Sequence, residues 1–140
     1  MPFLTVKEIN ENYQEKYENL KFLTNYCQQT EKSIYNNKIE LFKPHNENEY
    51  KEIILDSFDS FRKLLLKITN TEDLENAIEF FKTKEDIWGP SIITNDGIIE
   101  LLKLLNDFQS AKGVNVEQLI YYIDRILIYV NYLCRITKKL

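Results

Sequence analysis

The stretch VEQLIYYIDRILIYVNYLCRITK, residues 116–138, decides the fold. Leu119, Ile120, Tyr122, Ile123, Ile126, Leu127, Tyr129, Val130, Leu133 and Ile136 recur at helical spacing and cover most of the circumference. A helix apolar nearly all round is buried on several sides, so this one is either the central rod of a bundle or a helix whose second face meets another chain. Asn115 and Gln118 stand at capping-box spacing at its start, with Val114 and Leu119 where a hydrophobic staple would sit.

Working back towards the N-terminus, Thr94, Asn95 or Asp96 can cap a helix carrying Ile98, Ile99, Leu101, Leu102, Leu105 and Phe108 that stops before Gly113. Pro90 disfavours helical torsions at the residue before it, so Ile87-Trp88-Gly89-Pro90 reads as the main irregular loop. Asn70 with Asp73 has the spacing of a cap for a short helix holding Leu74, Ala77, Ile78 and Phe81 and ending near Thr83. A longer helix runs from Asn46 or Asn48 to about Ile68, and its broad face of Tyr50, Ile54, Phe58, Phe61, Leu65 and Ile68 suits a central position. The first helix starts at Thr5, boxed with Glu8, and runs to about Tyr35, where Asn36 and Asn37 offer a break. Its stripe of Val6, Ile9, Tyr13, Leu20, Leu23, Cys27 and Ile34 is thin for its length, which predicts a helix reaching beyond the core or lying against a partner helix. The expectation is an all-α, single-domain bundle of about five helices over residues 1–140, with a long N-terminal helix and a largely buried C-terminal helix.

Composition agrees. A chain of 140 residues with 44% apolar and 29% charged residues can bury one core, and 3 Gly with 3 Pro leave few turns for a many-stranded sheet. Net charge is −4 with 18 basic residues scattered along the chain, so no direct nucleic-acid contact is expected. No window reaches the length of a membrane span and MPFLTVKE lacks the form of a signal peptide, so neither membrane insertion nor secretion is expected. Cys27 and Cys134 lie far apart in sequence within helical patterns, in keeping with a reducing cytoplasm, the alternative being one bridge between the terminal helices.

Chemistry finds little to work with. His45, the only histidine, follows Pro44 and reads as a solvated loop residue, and it makes no zinc set with two distant cysteines. Glu49-x-x-Glu52 and Glu72-x-x-Glu75 resemble the paired carboxylate motifs with which the all-α nucleoside-triphosphate pyrophosphohydrolases chelate magnesium, although their second motif ends in Asp. That resemblance implies that the four carboxylates converge within about 5 Å of one point. Glu49, Glu52, Asp56 and Asp59 also trace a polar stripe opposite the apolar face of their helix, and on that reading no catalytic, cofactor or metal residue is assigned.

Trp88-Gly89, between a short amphipathic helix and an apolar one, resembles the Trp-Gly helix junction of the B-cell-lymphoma apoptosis regulators and their poxviral relatives, with Pro90 in place of the arginine usual in the cellular members. Trp88 is otherwise a plug for one end of the bundle or an anchor for a partner. In size and class the chain also resembles the small helical subunits of type III CRISPR effectors.

The resulting expectation is a non-enzymatic protein-interaction module of the inhibitor, immunity or anti-defence type, acting in the cytoplasm, or in the host cytoplasm if viral, by occluding a protein partner with a basic site. Its alternative is a small structural subunit of a homo-oligomer, a homodimer being the simplest, or of a ribonucleoprotein. Trp88, Tyr17, Tyr121 and Tyr129 are the expected contact residues, chosen by residue type.

Overall fold

The computed structural model describes residues 6–140, with side chains from residue 19 onward. Its elements are α1 (Val6–Glu40), α2 (Glu47–Thr69), α3 (Leu74–Thr83), α4 (Glu85–Trp88), α5 (Ser91–Ser110) and α6 (Val116–Lys139), so the bundle has five long helices and a single turn, α4.

Three helix starts, those of α2, α3 and α6, are capped by side chains. The Asn46 side chain accepts from the Glu49 amide at 2.8 Å while the Glu49 carboxylate accepts from the Asn46 amide at 3.3 Å, closing a capping box on α2. Asp73 accepts from the Asn76 amide to start α3, and Asn115 accepts from the amides of Glu117 and Gln118 to start α6. Asn70 plays the opposite part to the one expected of it. It ends α2 in the left-handed conformation, φ 52° and ψ 46°, with its amide bonded to the Leu66 carbonyl.

Three further expectations are corrected. α1 does not break at Asn36 and Asn37, because the Asn37 side-chain amide is occupied in bonds to Asp56 Oδ2 (2.8 Å) and Ser57 Oγ (2.9 Å) on α2 and does not compete with the helix backbone. The loop at Ile87–Pro90 contracts to Gly89 and Pro90, since Ile87 and Trp88 belong to α4, and α5 begins at Ser91 with Thr94 and Asn95 already buried inside it. Gly89 makes the turn with φ at +82°, a torsion that other residues rarely adopt. His45 is not loosely solvated: its ring bridges the Glu40 carbonyl at the end of α1 (2.8 Å) and the Glu49 carboxylate at the start of α2 (3.2 Å).

α2 is the central helix, packed against α1, α3, α5 and α6, whereas α6 packs against α1, α2 and α5. α1 and α6 run antiparallel, with Lys38 paired to Asp124 at 2.7 Å and Asn131 bonded to Glu31 at 3.4 Å. One apolar cluster draws on every helix, including Cys27 and Ile34 of α1, Phe61 and Leu65 of α2, Phe81 of α3, Trp88 of α4, Leu101 of α5 and Ile126 and Val130 of α6. Each such side chain contributes roughly 1.5–3 kcal/mol by leaving water. Tyr122 is wholly buried; its hydroxyl donates to the Leu101 carbonyl at 3.0 Å, and burial pushes its pKa well above the ordinary tyrosine value. α6 is thus buried on three sides, and its outward strip carries Tyr121, Ile128, Asn131 and Arg135. Among the described residues no helix is long and apolar enough to cross a membrane.

Candidate interaction surface

The turn at Gly89-Pro90 sets α5 beside α6 with little side-chain bulk between them. Gly97 is the reason they can approach: a Cβ there would stand 2.8 Å from Tyr129 Cε2, so the tyrosine ring lies directly on the backbone of α5. The Tyr129 hydroxyl donates to the Thr94 carbonyl at 2.8 Å, and the Tyr132 hydroxyl donates to the Trp88 carbonyl. The bond to Trp88 satisfies a carbonyl left free at the end of α4, while the Thr94 carbonyl accepts from Tyr129 in addition to its place in the helix. Burial, with the Tyr132 hydroxyl nearby, raises the Tyr129 pKa far above the ordinary value, so its hydroxyl stays a neutral donor.

Between the two helices runs an apolar groove of about 500 Å³. Trp88, Leu101 and Tyr129 line its depth, and Ile93 and Ile128 stand on opposite lips with 71% and 70% of their surfaces exposed. Ile92 extends the α5 lip and is equally bare. At the other end Arg125 grips Glu100 through two bonds of 2.5 and 2.6 Å, and also donates to the Tyr121 hydroxyl at 3.2 Å. Ile128 separates this groove from a more polar one against α1, where Tyr35, Lys38 and Arg135 take part. Around the isoleucines Asp96 and Glu100 follow along α5, Glu100 in its pair with Arg125, and Lys84 joins Glu85 and Asp86 at the α4 corner. The arrangement is apolar in the middle and mainly carboxylate at the rim.

The expected contact residues distribute unevenly over this surface. Trp88 is not a surface anchor, because only 4% of it is exposed and its ring packs edge-on against Phe81 at 5.8 Å; what it offers is part of the groove wall. Tyr129 is partly buried in that wall, edge-on to Phe61 at 5.1 Å. Tyr121 is 57% exposed and joins the site through Arg125. The Tyr17 side chain lies outside the described ones. Ile92, Ile93, Gly97 and Ile128 were not anticipated. The signal for Ile92 and Ile93 was the apolar pair beside the proline, which becomes a helix lip only once α5 is known to start at Ser91.

The four glutamates of the magnesium motifs do not converge. Glu49 is engaged with His45 and the Asn46 amide, and among the described residues no three of His, Cys, Asp and Glu are placed to share a metal ion. Basic residues are less scattered in space than in sequence: exposed Lys67, Arg135, Lys138 and Lys139 gather at the end of the bundle where α2 and α6 terminate, with Lys67 Nζ 5.8 Å from the Phe22 ring. Cations there also offset the negative ends of two helix dipoles. In comparisons with known proteins, the chain matches no family model, no curated protein and no solved structure.

Proposed function

We propose that the protein is a non-enzymatic interaction module of the inhibitor, immunity or anti-defence type, which uses the α5–α6 face to bind and occlude a partner protein. The single observation behind this reading is the groove of about 500 Å³ flanked by the bare isoleucines Ile93 and Ile128. Exposed aliphatic lips around a preformed groove cost solvation free energy in the free protein, and a partner's apolar side chains recover it on binding. The carboxylate rim selects the partner's chemistry: an apolar segment flanked by lysine or arginine, most simply one face of an amphipathic helix.

A designed amphipathic peptide of leucine and lysine tests this, with a leucine–glutamate peptide of the same pattern as control. The lysine peptide is expected to bind, measured by fluorescence anisotropy, and the Ile93→Ser/Ile128→Ser double variant to weaken it by about tenfold or more while keeping helical circular dichroism. Equal binding of both peptides, or indifference to the double substitution, rejects the α5–α6 face.

The basic end of the bundle favours a second reading, a small structural subunit of a ribonucleoprotein. That reading expects a single-stranded RNA oligonucleotide to be retained at low salt and released on Lys67→Glu/Lys138→Glu substitution, and it fails if no retardation is seen at about 50 mM salt.

A further inference from the structure

The two cysteines of the chain meet in the α1–α6 interface. Lys38 faces Asp124 and Glu31 faces Asn131, and continuing the same antiparallel register along α1 brings Cys27 opposite Cys134. The crossing is built from small side chains: Cys27, Thr30, Cys134 and Thr137 are all buried there, which lets the two backbones come close. The Thr137 hydroxyl lies 3.9 Å from Cys27 Sγ and donates to the Cys134 carbonyl at 2.8 Å, so one side chain touches both cysteines. A disulfide requires Cα atoms about 4.4–6.8 Å apart, and small residues at a helix crossing favour so close an approach.

We propose that Cys27 and Cys134 form a cross-helix disulfide, tying α1 to α6, when the protein meets a low-molecular-weight disulfide such as oxidised glutathione. Cys27, on the helix that lifts, attacks first as its thiolate. The Cys27 thiolate displaces one glutathione thiolate to give a mixed disulfide. Cys134, deprotonated in turn, attacks Cys27 Sγ, forms the Cys27–Cys134 bond and expels the second glutathione. The two cysteines lose two electrons and two protons, and the two glutathione thiols gain them. Since 0% of Cys27 and 4% of Cys134 is exposed, the oxidant enters only when α1 lifts locally from α6, and the reaction is correspondingly slow. The bond encloses most of the bundle in one loop, so it constrains the unfolded chain strongly.

The whole chain is incubated with oxidised glutathione, and a second sample is refolded from denaturant in the same buffer, which removes any barrier of access. The expected product by either route is a monomer lighter by two hydrogens. Its peptide map joins residue 27 to residue 134, and its melting temperature is raised by on the order of 10 °C and restored by dithiothreitol. Cys27→Ser and Cys134→Ser each abolish all of these changes. Free thiols or stable glutathione adducts after both routes, or a bond that forms only with loss of helical circular dichroism, would overturn the proposal and leave the cysteines as small core residues.

Discussion

His45 spans two helix ends, and both ring nitrogens face acceptors: the Glu40 carbonyl and the Glu49 carboxylate. Only the imidazolium can donate to both, so the Glu49 bond, followed by the Glu40 carbonyl, raises the His45 pKa above its ordinary 6.5. The bond to His45, followed by that from the Asn46 amide, lowers Glu49 below 4.5. The signs define a window. The histidine's contribution is complete below pH 6.5 and fades as pH rises through its raised folded value, while that of the glutamate is present above 4.5 and is lost as pH falls through its depressed one. Urea unfolding of the native protein and His45→Gln should therefore differ most near about pH 5.5, with the gap narrowing by about pH 8. A gap that widens towards alkaline pH contradicts the latch. Asn95 gives a residue-scale prediction of another kind. It is buried on α5 with its Nδ2 bonded to the Ile78 carbonyl at 3.2 Å, yet its Oδ1 has no partner. Asn95→Leu keeps the branched shape and removes that lone acceptor, so it should cost less than about 1 kcal/mol, or stabilise, by urea unfolding. A loss of about 3 kcal/mol would show instead that a bound water completes the amide. Neither feature is legible in sequence, because the partners of His45 and Asn95 arrive from other elements, and local patterns carry no trace of them.

At the scale of elements, two caps were readable and the joints were not. Asn46 and Asn115 declare their helices because a short polar side chain followed by free backbone amides is a local event, whereas α3 is capped by Asp73 instead of Asn70 and α5 starts at Ser91, ahead of all its expected caps. Asn46→Ala is accordingly expected to cost about 1 kcal/mol in chemical denaturation. Asn70 and Asn37 misled for a shared reason: an asparagine can cap a start, end a helix in the left-handed conformation or bond across to a neighbour, and only the surrounding fold selects among these. Gly97 shows tertiary contact reversing a propensity rule. Glycine inside an exposed helix is normally improved by alanine by roughly 0.5–1 kcal/mol. Here the added methyl meets Tyr129 Cε2 at 2.8 Å, and the Tyr129 ring is held by its bond to Thr94 and by Phe61. Overpacking of this kind costs about 1–3 kcal/mol, so Gly97→Ala should be net destabilising by about 1 kcal/mol and should weaken binding in the groove. A more stable variant would mean that the α5–α6 contact is looser than described.

For the whole molecule, the aromatic content of the surface was legible and its shape was not. Residue type alone singled out Trp88, Tyr17, Tyr121 and Tyr129; of these Trp88 and Tyr129 build the groove wall, Tyr121 stands beyond it beside Arg125, and the lips are left to isoleucines. A periodic stripe says which side of a helix is apolar; it does not say where two such sides stop short of meeting. That shortfall bears on the state of association. Ile92, Ile93 and Ile128 bare an apolar patch of a few hundred Å², the size commonly found on monomers, whereas a stable dimer buries about 800 Å² on each partner. Light scattering is therefore expected to give the mass of one chain, 16.8 kDa, for the native protein and for Ile93→Ser/Ile128→Ser alike. Tyr121→Lys should leave mass and fold unchanged as well, since its ring is mostly in water, while Tyr129→Lys should unfold the α5–α6 joint by stripping the Thr94 bond and the contact with Phe61. A dimer that Ile128→Ser dissociates would instead make the groove a self-interface, with one chain's isoleucine seated in the other's cleft, and would turn the module from an inhibitor into a building block.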